Sequence, residues 1–310
     1  MRHRMIRWSL QIIRGNHSVS FGTVRVDQWP LGMLPGAMLV LVASIMSLTG
    51  RLQAAETTQP HVMIRPTQQA ETTLQPVPPG PRPRVGERLV FRGRWLGLPV
   101  GAGWIGVTEE VVIDGRRAFH IHGEGKTTGV VSKFYPVHDV VDSYLDAETL
   151  QPLRFEKNQR EGDYRANEIV IFDVSKREAR YESLLNKSKK RIELPEEFQD
   201  LISALYWFRI QPVLPGSSMM VNLYTDEKIY RTQMMISRLM TLELLKRGTF
   251  TCFVVEPKAS FKGMLVKRGR LWAYLTADEW RLPLLVKATT PWGPMSAVLE
   301  EESLPVAWRR

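Results

Sequence analysis

The sequence predicts a mainly β protein, a strongly curved antiparallel sheet or half-barrel with one packed amphipathic helix at about residues 195–210. Three observations lead there. From Gly86 onward apolar residues recur with period two in run after run, the spacing of half-buried strands. Asp114-Gly115 sits between two such runs and is a strong hairpin signal. Helical spacing is clear in one segment only, where Phe198, Leu201, Ile202, Leu205 and Phe208 share a face.

Taken in order, Leu89, Phe91 and Trp95 line one face of a first strand, and Ile105, Val107, Val111 and Ile113 line one face of a second. Asp114-Gly115 then turns the chain into Phe119 and Ile121, which makes an antiparallel meander. Further alternating runs fall at 140–146, 153–158, 167–172, 219–224, 229–236, 250–255, 270–275 and 282–288, too many strands for an α/β plan. Pro195 suits the first turn of the helix, Glu196 and Glu197 favour its positive start, and Pro212 ends it. A lone amphipathic helix between two sets of strands has one place to go, against a face of the sheet.

Ahead of the strands the chain changes character twice. Residues 34–48 carry no charge and follow Arg2, Arg4, Arg7, Arg14 and Arg25. A stretch of about 15 apolar residues matches the core of an export signal better than the roughly 20 a spanning helix needs. Residues 1–55 therefore read as a signal peptide with a long basic leader, cleaved near Ala55. The alternative is an uncleaved anchor; either way the positive-inside rule places the rest across the inner membrane. The expected location is periplasmic, or inner-membrane anchored with a periplasmic domain, and membrane contact is expected only through this N-terminal segment. Residues 56–85 hold seven of the 20 prolines and read as a polyproline-leaning linker, leaving 86–304 as a single β-rich domain.

Composition removes several function classes. The single cysteine, Cys252, rules out an intrachain disulfide, a cysteine zinc cluster and lipidation behind the apolar run. It lies in a strand-like apolar run, where a buried, inert thiol is expected. The net charge is +10, but residues 1–55 supply +5 of it through six Arg and one Asp, and the remaining charges are interspersed. No concentrated basic face is left to bind nucleic acid. The densest basic run, 187–191, reads as a solvated loop.

Gly86-Glu87 with Leu89 and Phe91, the Gly101-x-Gly103 step and Asp146-x-x-Thr149-Leu150-x-Pro152 resemble a known bacterial family. So do Asp200-x-x-Ser203 running to Arg209, Gly248 to Cys252, and Trp272 with Leu282-Pro283-Leu284. The family is domain of unknown function 3108, and the match covers about residues 86–300. The resemblance implies an exported, mostly antiparallel β domain and carries no agreed functional residues.

No motif demands catalysis, and the expectation leans against an enzyme. His120 and His122 lie on one face of a strand, since side chains alternate, and form a weak metal candidate lacking a defined third ligand; no metal or other cofactor is assigned. Gly123-Glu-Gly125-Lys126-Thr127 lacks the first glycine of a phosphate loop, position 120 being His120. Paired faces are more informative. Trp104 opposes Ile105 and Val107, Tyr144 opposes Ser143 and Leu145, and Trp272 and Tyr274 oppose Leu271, Ala273 and Leu275. Both sheet surfaces thus shun water. These four aromatics are the candidate ligand-binding residues, forming a concave face for a lipid-like or amphipathic ligand in the cell envelope. The same second face could equally be covered by the helix or by loops. The alternatives are a scaffold whose sheet edges pair with another envelope protein, or a metal-dependent envelope enzyme using the His120/His122 face.

Overall fold

The computed structural model describes residues 62–66, 76–77, 79–244, 247–259, 270–290 and 293–303. The basic leader, the apolar run and most of the proline-rich stretch lie outside these residues. Sixteen strands form one antiparallel sheet: β1 (Val62–Pro66), β2 (Arg88–Trp95), β3 (Leu98–Ile113), β4 (Arg116–Thr127), β5 (His138–Asp146), β6 (Pro152–Glu161), β7 (Tyr164–Asp173), β8 (Glu178–Ser183), β9 (Lys189–Glu193), β10 (Ser218–Thr225), β11 (Lys228–Ile236), β12 (Met240–Leu244), β13 (Gly248–Ala259), β14 (Leu271–Thr276), β15 (Pro283–Thr290) and β16 (Gly293–Ser303). Among the described residues two helices accompany them, α1 (Val131–Phe134) and α2 (Leu201–Arg209). The mainly β expectation holds.

The neighbour order is β1-β12-β13-β14-β15-β16-β2-β3-β4-β5-β6-β7-β8-β9, with the hairpin β10–β11 joined to β13 through β11. Tight turns drive the meander. Asp114 and Gly115 both take positive φ, 49° and 78°, as a primed two-residue turn requires. Asp226 and Glu227 do the same between β10 and β11, at 48° and 60°.

One face of the sheet, here the inner face, carries the core: Leu89, Phe91, Ile105, Ile121, Val141, Leu145, Phe155 and Val170 are all buried there. Helix α2 lies on this face. Phe198, just before it, meets Phe172 of β7 at 5.2 Å, and Phe208 near its end meets Phe253 of β13 at 6.3 Å. Those two strands are far apart in the neighbour order, so the sheet curves round the helix.

The helix starts later than its sequence suggests. Pro195, Glu196 and Glu197 are not helical, because the next residue but one, Gln199, spends its backbone on β10: its N–H donates to Asn222 O at 2.8 Å and its carbonyl accepts from Tyr224 N at 2.7 Å. Asp200 then caps the helix. Its Oδ1 accepts from Ile202 N and Ser203 N at 2.8 and 2.7 Å, and Ser203 Oγ accepts from Asp200 N, a reciprocal box. The second carboxylate oxygen accepts from Ser143 Oγ of β5 at 2.6 Å, which fixes the helix start to the sheet. At the other end, Arg209 is buried and pairs with the equally buried Glu87, Nη1 to Oε1 at 2.5 Å.

Other differences concern polar strands. Residues 189–191 of the basic run are strand β9 rather than loop, with side chains that stay exposed; Lys189, Lys190 and Arg191 ion-pair with Glu182, Glu227 and Glu178. Strand β1 falls inside the proline-rich stretch and pairs with β12. Just past it, Val77 is buried and exchanges backbone hydrogen bonds with Val213, while Arg281 Nη2 donates to Val77 O at 2.6 Å. Cys252 is buried as expected, and burial pushes its thiol up to about 12.

Arg209→Met leaves the Glu87 carboxylate buried and unpaired, so it is expected to cost about 3–5 kcal/mol, with Glu87→Gln in the same chain restoring a large part. Urea unfolding with an unchanged m-value checks this; a loss below about 1 kcal/mol would show that the pair carries no weight. Asp200→Ala is expected to cost about 2–3 kcal/mol, from the cap and the orphaned Ser143 hydroxyl, and Asp200→Asn less than half of that in the same measurement.

Candidate functional site

The outer face of β3, β4 and β5 gathers the side chains with chemistry. On β4, Ile121, Gly123 and Gly125 point inward, which turns His120, His122 and Glu124 outward. The register sets His120 opposite Tyr144 and His122 opposite Asp142 of β5. Asp142 Oδ1 lies 2.7 Å from His120 Nε2 and 2.8 Å from His122 Nδ1, so one carboxylate oxygen serves both imidazoles.

On the other side a bulge in β3 sets the partner. Val107 pairs with Ile121 and Glu109 with His120, leaving Thr108 as the extra residue. Without the bulge Glu109 would face inward; with it, Glu109 Oε1 reaches His120 Nδ1 at 3.3 Å. His120 therefore stands between two carboxylates. The Asp142 hydrogen bond raises its pKa, against the opposing effect of burial and with help from Glu109. Burial pushes the Asp142 carboxyl up, but the two imidazoles outweigh it and hold the group at about 2.

Aromatic rings wall the cluster. Tyr144 stacks on His120 with centroids 4.4 Å apart and planes at 10°, and Trp104 lies 4.9 Å from the His122 ring. Trp104 is itself covered by the Arg88 guanidinium at 4.5 Å, and its Nε1 donates to Glu124 Oε2 at 3.2 Å. Glu124 Oε1 meets His138 Nε2 at 2.9 Å. Burial pushes Glu124 up, but these two bonds outweigh it and lower its pKa. The side chains of His120, His122 and Asp142 keep only 15, 24 and 21% of their surface, which is low for the water side of a sheet.

Next to the cluster runs a groove of about 340 Å³, lined by His138, Val140, Asp142, Glu156, Asn158 and Arg160. Large apolar side chains stand uncovered at the end of the sheet from which β5 starts with the groove-lining His138. Leu96 and Leu98 in the β2–β3 turn are 55 and 68% exposed, and Val130 and Phe134 in the β4–β5 connection are 68 and 83% exposed. These two connections lie at the same end, since Thr128 N donates to Val100 O.

A family model described as a protein of unknown function (DUF3108) matches residues 90–300. The chain belongs to this family. No curated protein matches the sequence. Among solved structures, the crystal structure of a beta-barrel-like protein of domain of unknown function DUF1849 from Brucella abortus is similar over 73% of this chain and 100% of that one, at 9% identity and a TM-score of 0.49.

The four aromatics expected to make one ligand face in this DUF3108 domain do not come together. Trp104 and Tyr144 are on the outer face of β3 and β5. Tyr274 of β14 also faces away from α2, since its neighbour Leu275 pairs with the helix-facing Phe253, but it lies four places along the sheet from β3 and is buried, with Lys287 Nζ 5.7 Å above its ring. Trp272 is half-buried under the Arg270 guanidinium at 4.7 Å. The concave surface is the inner one, already occupied by α2 and the β10–β11 hairpin. A cavity there, between Lys157, Glu168, Tyr181, Asp200, Tyr224 and Asp226, measures about 30 Å³, enough for a water but not a lipid.

The inner face also holds charge that no sequence pattern marked. Lys157 Nζ pairs with Glu168 at 3.0 Å. Beside them are the buried carboxyls of Asp139 and Glu161, with Asp139 Oδ1 accepting from Arg160 N at 2.9 Å. Burial raises both, and Glu161, further raised by the Asp139 carboxyl, reaches about 9. An acid whose pKa is higher folded than unfolded stabilises fully below its unfolded value, and that contribution is lost as pH rises through the folded value. Stability is thus expected to decline from about pH 4.5 toward pH 9, and Glu161→Gln to flatten the decline. Chemical unfolding at pH 5, 7 and 9 checks this; equal slopes in both proteins would refute the raised Glu161 carboxyl.

Proposed function

We propose that this protein is an exported, non-catalytic binding module of the cell envelope that takes an amphipathic ligand on its outer face. The observation that carries the proposal is the uncovered apolar end formed by Leu96, Leu98, Val130 and Phe134, the same end of the sheet at which His138 opens a groove with polar and charged walls. A ligand with an apolar part at that end and a polar head along His138, Asp142, Asn158 and Arg160 would satisfy both surfaces. Trp104 and Tyr144 serve as rigid aromatic walls of the same face. Export rests on the basic leader and the short apolar run of residues 1–55.

The edge-pairing alternative has less support. Strand β9 ends the neighbour order, and its Lys189, Lys190 and Arg191 are each engaged with a carboxylate, a charged edge of the kind that discourages strand addition.

Burying a large apolar side chain is worth about 1.5–3 kcal/mol, so the double variant Leu98→Ser, Phe134→Ser is expected to weaken amphiphile binding at least tenfold. Both side chains are exposed, so the melting temperature should stay unchanged. Extraction and mass spectrometry of the gently purified full chain should yield a stoichiometric amphiphile, retained by wild type and lost by the variant. Wild-type protein that carries no amphiphile and takes up none from short-chain phospholipid would remove the proposal.

A further inference from the structure

The outer-face cluster has the composition and placement of a metal site. Two imidazole nitrogens and a carboxylate are a donor set suited to borderline divalent transition ions, and zinc sites with three protein ligands keep a fourth position for water or substrate. His120 Nε2, His122 Nδ1 and a carboxylate oxygen of Asp142 all lie within 4.8 Å of one another. Around a tetrahedral zinc, ligand atoms stand about 3.4 Å apart, whereas here the two nitrogens approach Asp142 Oδ1 to 2.7 and 2.8 Å, so admitting an ion needs those two contacts to open by about 0.6–0.7 Å. Rotation of three surface-strand side chains can supply that.

Three further features match what a metal site needs. The ligand rings are oriented from behind: Glu109 holds His120 Nδ1, leaving Nε2 as the coordinating atom, in the carboxylate–histidine arrangement that supports metal-bound imidazoles. Tyr144 stacks on His120 and Trp104 packs at a 39° tilt against His122, which restricts both rings and lowers the cost of holding them still. The ligands sit on two hydrogen-bonded strands rather than on loops, so backbone spacing is set by the sheet register.

We propose that His120, His122 and Asp142 bind one divalent transition-metal ion, best matched by zinc, with an open coordination position on the outer face beside the groove. The site does not depend on the amphipathic-ligand proposal. It adds a Lewis-acidic point at one wall of the groove, where an anionic or carbonyl oxygen could complete the coordination shell.

The test is a titration of the full chain, stripped with a chelator, with Zn²⁺ in competition with a chromophoric chelator, and with Co²⁺ followed by visible absorption. Wild type is expected to take up one equivalent and give a low-coordinate Co²⁺ spectrum. His122→Ala and Asp142→Asn are expected to lose that equivalent and the spectrum while keeping the wild-type melting temperature without metal. Glu109→Gln is expected to keep the stoichiometry but bind about 10–100-fold more weakly. Wild-type protein with no stoichiometric uptake, or uptake that survives both ligand variants, overturns the site. Should the ligand variants fail to fold, the wild-type stoichiometry and Co²⁺ spectrum together with the Glu109→Gln shift decide it. Amphiphile binding measured on the stripped protein separates the two proposals: its persistence there leaves the binding module standing whatever the metal result.

Discussion

The hydrogen bond from Ser143 to Asp200 ties together the parts of this protein that matter most. It is buried at both ends, and it joins the only long helix among the described residues to the middle of the sheet. Asp200 cannot serve the sheet without also capping the helix, because the same carboxylate accepts two helix N–H groups and the Ser143 hydroxyl. Strand alternation then carries the constraint through the sheet. With Ser143 held inward, its neighbours Asp142 and Tyr144 must face outward, where they meet His122 and His120. One inward contact therefore decides which residues build the outer cluster.

The two faces of the sheet handle polarity in opposite ways. Inside, charged groups are held by specific partners: Glu87 by Arg209, Lys157 by Glu168, Asp139 by the Arg160 N–H and Glu161 by the Gln159 amide. Unpaired, any of them would carry a desolvation penalty of several kcal/mol, so they fix geometry more than they add stability. Outside, the histidines and carboxylates are only partly covered, and their rings are held by stacking and by a bulge that re-aims Glu109. A water-facing strand needs none of this order. That contrast is why the outer surface, and not the core-filled inner one, is the natural place for a function.

Legibility followed physical range. The alternation of β2 to β7, the Asp114-Gly115 turn and the shared face of His120 and His122 depend on neighbours within a few residues, so they can be read along the chain. Strand β9 could not, because its exposed lysines and arginine look like a loop until Glu182, Glu227 and Glu178 are placed opposite them. The helix start was misplaced for a similar reason: Pro195, Glu196 and Glu197 satisfy every local rule for a first turn, but Gln199 is claimed by β10, more than 20 residues on. Tyr274 alternates like a surface aromatic and does face away from α2, yet it is buried beside Val254 and Leu285, cross-strand neighbours that only the pairing register supplies.

What the chain determines by itself is the kind of protein this is: side chains alternating along many short runs must bury one face, and only an antiparallel sheet with a helix against it does so for these spacings. Which face remains available, and which residues meet there, was decided by folding. Asp142 reaches His120 and His122 through a strand pairing about 20 residues distant, Glu109 joins them only because one residue bulges out of register, and the inner concavity is filled by elements far along the chain. Pairing register and curvature depend on contacts between distant segments, and no local pattern encodes them.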